Sequence, residues 1–219
     1  MSLFPLFLKL TARPCLVVGA GAIAEGKIAS LLEAEATVTV VAPEADARVE
    51  EWAAGGEITL YRREFVASDV NGMFLVVAGT DIPEVNRAVF AAAKERSILC
   101  NAVDDPPYCD FYFPSIVRRG DLQIAISTAG ESPALAQQLR KEINEQLPKD
   151  LGPWLLELGR LRREVLQMEP LGESRKMLLH QLATREVCGA VDCPSRAMAR
   201  EHAAKHYPER NPQLTENKA

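Results

Sequence analysis

A glycine-rich turn near the N-terminus is the first feature of the sequence that could do chemistry. The turn reads Gly19-Ala20-Gly21-Ala22-Ile23-Ala24, a GxGxxA pattern. Gly19 permits a tight turn, Gly21 lets the backbone approach a diphosphate, and Ala24 permits close packing of a helix on a sheet. Backbone N–H groups at the helix start, those of Ala22 and Ile23 among them, would then meet negative charge. The pattern predicts a dinucleotide site; a glycine turn that merely packs is the alternative.

The residues after the second predicted strand bear on the choice between NAD and NADP. An acidic residue normally follows this strand and binds the ribose hydroxyls. Here the strand ends in Val41-Ala42-Pro43-Glu44, so the acid is displaced, although Glu44 can still reach the ribose. No arginine follows at once to accept a 2′-phosphate, and NAD is therefore favoured. Arg48 is the residue that could reverse this preference.

Polar residues also follow the fourth and fifth predicted strands, at the edge where open parallel sheets bind ligands. Thr80 is expected either to face the ligand or to cap the next helix. Asn101 and Asp104 come after the fifth strand, facing the nicotinamide end of a cofactor. Asp104 is thus a candidate acid-base group, with a turn residue near Pro106 as the alternative.

The first hundred residues must position these groups, and they alternate apolar runs with helical periods. The runs predict five strands: Cys15-Leu16-Val17-Val18, Thr37 to Val41, Glu57 to Tyr61, Met73 to Ala78 and Ile98-Leu99-Cys100. Helical stripes run from Ala24 to Leu32 and from Val85 to Ala93, and a helix containing Trp52 ends at Gly55-Gly56. This is the pattern of βαβ units, so we predict an α/β fold with a Rossmann-type parallel sheet.

A different pattern begins after Pro106-Pro107. Ser115 to Arg119 and Leu122 to Ser127 flank Gly120-Asp121, which predicts an antiparallel hairpin. Ser132 is the expected N-cap of the helix that follows. The apolar face of that helix comprises Leu135, Leu139, Ile143 and Leu147. So small a unit has too little core to stand alone, and we expect it to bury this face against the first domain or a second copy of itself.

From Leu151 onward only helical periods appear, and the longest carries Trp154, Leu158, Leu161 and Val165. The polar end, residues 207–219, is expected to be frayed. The spacing of Cys188, Cys193, His202 and His206 departs from known zinc patterns, so no metal site is expected there.

Composition narrows the possible partners and compartment. The 219-residue chain has a net charge of −5 without a basic block, which argues against nucleic acid as the main partner. Neither a signal sequence nor a membrane span is evident. Five cysteines without a CxxC pair favour a reducing compartment, and we expect a soluble cytoplasmic protein.

Several segments together are more specific than any one of them. The set comprises Cys15-Leu-Val-Val-Gly-Ala-Gly-Ala-Ile-Ala, Thr39-Val-Val-Ala-Pro, Cys100-Asn-Ala-Val-Asp, Pro114-Ser-Ile-Val-Arg-Arg and Ser127-Thr-Ala-Gly-Glu-Ser-Pro. In order and spacing it resembles the precorrin-2 dehydrogenase/sirohydrochlorin ferrochelatase family of siroheme synthesis, from about residue 3 to 150 and more loosely beyond.

The resemblance implies an organisation and a reaction. It implies an NAD-binding Rossmann domain (1–112), a small α+β dimerisation region (113–148) and a helical domain (149–219), assembled as a homodimer. Precorrin-2 would lose a hydride to NAD and a proton to the enzyme, and in bifunctional members Fe(II) then enters sirohydrochlorin in the same cleft. The family's essential aspartate corresponds to Asp104, which could accept the protons that both steps release.

The resemblance also implies contact residues. Family members bind NAD around the glycine turn and after the second strand, which matches Ala22, Ile23, Pro43 and Glu44, and Thr80 and Asn101 are expected cofactor neighbours. The tetrapyrrole substrate has eight carboxylates, for which Arg118, Arg119, Arg140 and Lys141 are candidate donors or else ordinary surface charges. The loop expected at the cleft contains Ser127, Thr128 and Ser132.

Two departures and two alternatives stand beside this interpretation. Gly26 replaces an arginine that is frequent in the family, which removes a charge near the phosphates, and Thr128 replaces a serine that is phosphorylated in some relatives. The alternatives are an NAD-sensing module without chemistry and a dehydrogenase for an unrelated substrate. A catalytic role for Asp104 separates the enzyme from the sensing module.

Overall fold

The computed structural model describes residues 3–183, which form two compact units. The first is Leu3–Phe113 and the second begins at Pro114. The expected boundary between a dimerisation region and a helical domain at residue 148 stays a prediction. The 188–206 cysteine and histidine set and the 207–219 tail lie outside the described residues. No helix among residues 3–183 combines the length and apolar character needed to cross a bilayer.

The first unit is built on a five-stranded parallel sheet, which confirms the predicted Rossmann-type α/β fold. Its strands are β1 (Pro14–Val18), β2 (Thr37–Val41), β3 (Ile58–Tyr61), β4 (Leu75–Ala78) and β5 (Leu99–Ala102). Its helices are α1 (Ala22–Glu33), α2 (Ala47–Ala54) and α3 (Pro83–Glu95), with 3-10 turns at Ala67–Val70 and Pro106–Tyr108. The strand order is β3-β2-β1-β4-β5, so the direction of winding reverses between β1 and β4. A crevice opens at the carboxyl ends of strands at such a point.

Both faces of this sheet are covered, which is why its strands read as unbroken apolar runs. Cys15 and Val17 of β1 pack on one side, with α1, while Leu16 and Val18 pack on the other, with α3. Three of the four residues in the predicted stripe of α1, Ala24, Ile28 and Leu31, are buried, and the fourth, Leu32, is partly buried against the same core.

The fifth strand continues two residues beyond its predicted end at Cys100. Asn101 therefore lies within β5, paired in register with Val77, rather than after the strand. A buried asparagine is tolerated here because its Nδ2 donates to the carbonyl of Phe111 at 2.7 Å. Apolar periodicity does not reveal such a partner, so the prediction stopped too early.

The second unit begins with the predicted hairpin. Strands β6 (Ser115–Arg119) and β7 (Leu122–Ile126) pair antiparallel around Gly120, whose φ of +58° suits a glycine in a tight turn. Helices α4 (Pro133–Gln146), α5 (Leu151–Met168) and α6 (Glu173–Ala183) follow. A small core joins α5 to α6 through Leu161, Val165, Leu178 and Leu182.

Arg119 joins the hairpin to the end of α4. Its guanidinium donates to the carbonyl oxygens of Asn144 (2.6 Å), Leu147 (3.4 Å) and Pro148 (3.3 Å). It also donates to Oδ1 of Asn144 at 2.9 Å. The last carbonyl groups of a helix lack intrahelical hydrogen-bond donors, and the guanidinium of Arg119 supplies donors to them. Arg119, a candidate substrate ligand from sequence, therefore holds the C-terminus of α4.

Replacing Arg119 tests this role. Arg119→Ala should lower the free energy of unfolding by about 1–3 kcal/mol, the usual contribution of hydrogen bonds from a charged donor. Arg140→Ala is the matched control, because within residues 3–183 the Arg140 side chain bonds only across one turn of α4, to Gln137, and its removal should be nearly neutral. Urea unfolding followed by circular dichroism measures both free energies. Equal losses in the two variants would contradict the role of Arg119 at the C-terminus of α4.

Candidate functional site

A cleft of about 850 Å³ lies at the carboxyl edge of the parallel sheet. Three loops line most of it: residues 18–23, 41–46 and 79–82. These loops follow β1, β2 and β4, the strands around the point where the winding reverses. The cleft includes all the predicted cofactor-binding residues except Asn101, namely Gly19, Gly21, Ala22, Ile23, Pro43, Glu44 and Thr80.

Gly19 forms the floor of this cleft in a conformation that a side chain would disrupt. Its φ is +104°, and a Cβ built on it would lie 2.6 Å from the carbonyl oxygen of Gly79. Its N–H donates to the carbonyl of Val41 at 2.9 Å. The turn is thus wedged between the ends of β2 and β4, and only glycine fits there.

Gly21 differs from Gly19 because the space around it is open. It is the N-cap of α1 and offers no side-chain bond to the first turn of the helix. A Cβ added to it would meet nothing within 4 Å. The N–H groups of that first turn have no intrahelical acceptor, and Ile23 beside them leaves 56% of its surface exposed. Open space, unpaired donors and an apolar side chain fit the diphosphate and adjoining sugar of a dinucleotide.

The loop after β2 brings acidic side chains to the cleft. Glu44 and Asp46 line it together with Glu64. The N–H of Asp46 donates to the carbonyl of Ala20 at 3.0 Å, which ties this loop to the glycine turn. Arg48 does not line the cleft, since it pairs with Glu51 at 2.7 Å and lies over Trp52. The residue that could have favoured a 2′-phosphate is therefore engaged elsewhere.

Thr80 lines the cleft and bonds to the residues around the start of α3. Its hydroxyl accepts from the N–H of Ile82 at 3.2 Å and lies 2.8 Å from Oδ1 of the buried Asn86. Asn86 in turn donates to the carbonyl of Thr80 at 2.9 Å. The N-cap of α3 is Ile82, and no side chain bonds to the first turn of that helix, so the capping alternative for Thr80 is wrong. Contact between Thr80 and a cofactor stays a prediction.

Asn101 occupies a different place from the other predicted cofactor residues. Its buried amide ties β5 to the segment from Cys109 to Phe111, with Nδ2 lying 3.3 Å from the thiol of Cys109. Burial raises the pKa of the Cys109 thiol and raises that of the neighbouring Cys100 to about 12. These thiols are protonated at neutral pH, so the network around Asn101 is structural rather than nucleophilic.

Asp104 is exposed in the turn that follows β5, with a φ of +60°. Aspartate tolerates this left-handed conformation better than most residues, but it remains uncommon and costly. Within residues 3–183 its carboxylate makes no hydrogen bond or ion pair. The adjacent Asp105 is paired instead, with Arg87 at 3.1 Å. Asp104 thus presents an open acceptor at the same edge of the sheet as the cleft.

In the second unit, the predicted substrate loop is held by its own hydroxyl groups. Ser127 Oγ accepts from the N–H of Ala129, and Thr128 Oγ1 accepts from the N–H of Ser132. Ser132 Oγ accepts from the N–H of Leu135 at 3.2 Å, which confirms it as the N-cap of α4. Arg118 is half-buried on β6. Contact between these residues and a substrate stays a prediction.

Lys27 is a charged residue near the cleft that is not among the candidate site residues predicted from the sequence. It is half-buried on α1, with Nζ 4.0 Å from the centroid of the Phe113 ring. Burial lowers the pKa of its ammonium group, and the negative charge of Asp104 opposes that shift. The available signal was its position beside the apolar stripe of α1, three residues from Ala24 and four from Leu31.

Known families match both units. A family described as "Putative NAD(P)-binding" matches residues 6–115, half of the chain. A second, described as "Sirohaem biosynthesis protein central", matches residues 119–146. Among solved structures, a protein named SirC, precorrin-2 dehydrogenase, superposes with a TM-score of 0.79 at 25% identity, covering 93% of this chain and 100% of its own.

Curated relatives are longer than this chain. Siroheme synthase 1 of Aeromonas hydrophila is 41% identical over 165 residues, which are 75% of this chain and 36% of the relative. Siroheme synthase of Methylococcus capsulatus is 43% identical over 176 residues, 80% and 37% respectively. The aligned part of the chain thus spans little more than a third of the length of these proteins.

The two glycines of the turn should respond differently to substitution. Gly19→Ala should lower the free energy of unfolding by about 1–3 kcal/mol, because its Cβ collides with the backbone of Gly79 in a left-handed conformation. Gly21→Val should cost less than about 1 kcal/mol, as expected at an N-cap. It should nevertheless weaken NAD binding at least tenfold, because its side chain enters the open space of the cleft.

Thermal unfolding and calorimetric titration with NAD separate these effects. Equal destabilisation by the two variants, or full NAD affinity in Gly21→Val, would contradict the assignment of backbone packing to one glycine and ligand approach to the other.

Proposed function

Because this chain belongs to the precorrin-2 dehydrogenase/sirohydrochlorin ferrochelatase family of siroheme synthesis, we propose that it oxidises precorrin-2 to sirohydrochlorin with NAD as its coenzyme. One observation carries the proposal: a cleft that fits a dinucleotide and the open carboxylate of Asp104 lie at the same edge of one sheet. Both lie within residues 6–115, which match the family described as "Putative NAD(P)-binding". We extend to this chain only the reactions that these residues can support, and not the whole activity of the longer siroheme synthases.

The oxidation removes two hydrogens from the substrate, one as a hydride and one as a proton. NAD⁺, when bound, supplies the hydride acceptor. The backbone N–H groups of Ala22 and Ile23 would bind its diphosphate, and the loop at Pro43 and Glu44 would bind the adenosine ribose. Asp104 accepts the departing proton because its carboxylate is exposed and makes no hydrogen bond or ion pair within residues 3–183.

The same carboxylate suits a second step, insertion of Fe(II) as a substrate ion into sirohydrochlorin. Two pyrrole N–H protons must leave when a divalent metal enters the ring, and a base facing the macrocycle can receive them. Asp104 is exposed to solvent, so each proton can pass to water before the next arrives. We therefore include ferrochelatase activity in the proposal.

Charge in the cleft supports NAD over NADP. Glu44, Asp46 and Glu64 line the cleft, and Arg48 is occupied by Glu51 and Trp52. A 2′-phosphate would bring two further negative charges toward these carboxylates, whereas a free ribose hydroxyl can donate to one of them.

Two further parts of the proposal concern assembly and substrate contact. Helix α4 leaves its predicted apolar face partly open, with Leu135 47% exposed and Ala136 alone classed as buried among its described residues. A second copy of the chain would cover this face, as expected of a homodimer. We propose that the tetrapyrrole carboxylates contact Arg118 and the hydroxyl groups of Ser127, Thr128 and Ser132. Each of these hydroxyl groups accepts a backbone hydrogen bond and retains a proton to donate.

The cysteines are consistent with a cytoplasmic enzyme. Cys15, Cys100 and Cys109 are free thiols, and burial raises the pKa of Cys15 to about 11. Buried thiols need no disulfide for stability, so this part of the chain is compatible with a reducing compartment.

Asp104→Asn tests the proposed reaction. In anaerobic assays with precorrin-2 and NAD, the variant should lose about 100-fold or more in kcat, the usual contribution of a general base. Its NAD affinity should stay within about twofold of the parent, because the amide leaves the cleft intact. NADH formation and sirohydrochlorin absorbance measure the first effect and calorimetry the second. Glu57→Gln, an exposed site outside the cleft, is the matched control.

The outcomes distinguish an enzyme from a nucleotide-sensing module. Unchanged turnover in Asp104→Asn would remove the carboxylate from the mechanism. An unmodified chain that binds NAD but fails to oxidise precorrin-2, beside an active dehydrogenase, would favour the sensing module. Iron insertion is measured separately, with sirohydrochlorin and Fe(II), and should be lost in the same variant.

Reversing the charge at Glu44 tests the choice of coenzyme. Glu44→Lys should reduce the ratio of NADP to NAD dissociation constants about tenfold or more, because a cation replaces an anion near the 2′ position. Glu57→Lys makes the same charge change outside the cleft and should leave the ratio unaltered. Titrations at fixed ionic strength measure both; an unaltered ratio in Glu44→Lys would place the ribose elsewhere.

A further inference from the structure

Asp104 lies in a turn whose two ends are held by hydrogen bonds. The N–H of Val103, just before it, donates to the carbonyl of Ala78 on β4 at 2.9 Å. The N–H of Asp105, just after it, donates to the carbonyl of Ala102 at 3.2 Å, which closes a four-residue turn. Asp104 is the third residue of that turn, and a positive φ at this place is typical of a type II turn. The direction of the Asp104 side chain therefore depends on where the backbone at Asp105 is held.

Arg87 of α3 holds the side of the turn that follows Asp104. Its Nε donates to Oδ2 of Asp105 at 3.1 Å, and its guanidinium carbon lies 5.4 Å from the centroid of the Tyr108 ring. The N–H of Tyr108 donates to the carbonyl of Asp105 at 2.9 Å, so the guanidinium contacts both ends of one short 3-10 turn. The Tyr108 ring also meets the buried Phe90 of α3 edge to face at 5.4 Å. These contacts join the segment after β5 to α3.

Helix α3 also lines the cleft that is proposed to bind NAD. Val85 and Ala88 of α3 line it, together with Ile82 at the N-cap of the helix. Arg87 lies between Val85 and Ala88 in the sequence but is not among the lining residues, and its side chain contacts the turn instead. One helix thus lines the coenzyme site with apolar side chains and holds the turn of Asp104 with a cation.

The contacts of Arg87 matter for local order more than for global stability. The Arg87 and Asp105 side chains are 49% and 23% exposed, and a pair so open to solvent contributes little to the free energy of unfolding. Asp104, Pro106 and Pro107 are all exposed as well, so burial does little to hold this turn. Segments with little burial open locally unless other contacts keep them closed. An ion pair and a ring contact at the end of the turn are such contacts.

We propose that Arg87 is a positioning residue for Asp104. By binding Asp105 and Tyr108 it fixes the turn to the helix that lines the coenzyme cleft, and so keeps the Asp104 carboxylate at a defined place relative to that cleft. For its catalytic consequence the inference rests on the proposed function, whereas the order of the turn is a property of the protein alone.

The order of the turn is tested first, without substrate or coenzyme, by hydrogen–deuterium exchange of the full-length chain and mass spectrometry. In Arg87→Met the peptide containing residues 103–109 should exchange about fivefold faster, as expected when one ion pair and one ring contact no longer hold it. Arg96→Met is the matched control. Arg96 lies at the other end of α3, where it donates to Oδ1 of Asn71 at 2.7 Å and to the carbonyl of Ala92 at 2.8 Å. Its replacement should leave the 103–109 peptide unchanged.

Kinetics then test the consequence for the reaction. In Arg87→Met, kcat for precorrin-2 oxidation should fall about tenfold, because a base that is displaced from its productive position loses much of its effect. The KM for NAD should stay within about twofold of the parent, because the cleft keeps its lining. Arg87→Lys retains a cation that can reach the same partners and should bring kcat back to within about threefold of the parent. Asp105→Asn removes the ion pair from the other side and should lower kcat in the same direction.

A double variant tests whether Arg87 acts through Asp104. Asparagine tolerates the left-handed conformation as aspartate does, so Asp104→Asn keeps the backbone of the turn. Once the carboxylate is gone its position no longer matters, and adding Arg87→Met should lower the remaining kcat by less than about twofold. Losses that multiply in the double variant would show that Arg87 acts by another route, and would overturn the inference.

The exchange data and the proposed function can fail separately. An unchanged 103–109 peptide in Arg87→Met, equal acceleration in Arg96→Met, or a parental kcat despite faster exchange would each overturn the positioning role. If the unmodified chain does not oxidise precorrin-2, the proposed function fails and the catalytic consequence fails with it. The exchange measurement still decides in that case whether Arg87 holds the turn.

Discussion

The close approach of the glycine turn to the backbone of Gly79 is the contact on which the rest of the site depends. With a Cβ at Gly19 only 2.6 Å from a carbonyl oxygen, any other residue would push the turn away from β4. The turn would then carry the start of α1 with it. Ala24 is fully buried beside Gly79, so this displacement would also open the packing of helix on sheet. Backbone proximity at one point thus determines where the unpaired N–H groups of α1 face.

Helix α1 makes two contacts that lie at different points along its length. Its first turn faces the cleft through Ala22 and Ile23, and Lys27 lies one turn further, against Phe113. Because α1 is rigid and its buried face is held by Ile28 and Leu31, the spacing between these two points cannot vary freely. The cleft-lining first turn and the contact between Lys27 and Phe113 are therefore held by one element. A substitution that shifts α1 should disturb both.

Much of the fold could be predicted from sequence because it depends on local patterns. The strands, the α1 stripe, the Gly120 hairpin and the Ser132 cap each leave a signal within a few residues. Features that depend on distant partners could not be predicted. The apolar pattern ends β5 two residues early because the partners of Asn101 lie up to ten residues away. It leaves Arg119 as a surface or substrate-binding charge because the acceptors of Arg119 follow 25 to 29 residues later. Lys27 left only a weak signal, since its ring partner lies at Phe113.

A carboxylate can serve as a base either buried in a closed site or open to solvent, and Asp104 is of the second kind. Burial makes a carboxyl group retain its proton more strongly, which suits an acid or a base that works on a single proton in a closed site. An open carboxylate can return each proton to solvent, which suits repeated proton acceptance from a broad macrocycle. The left-handed φ of +60° turns this residue out of the strand end, where the buried Asn101 faces inward. The local backbone cost at Asp104 therefore accompanies an exposed carboxylate rather than a buried one.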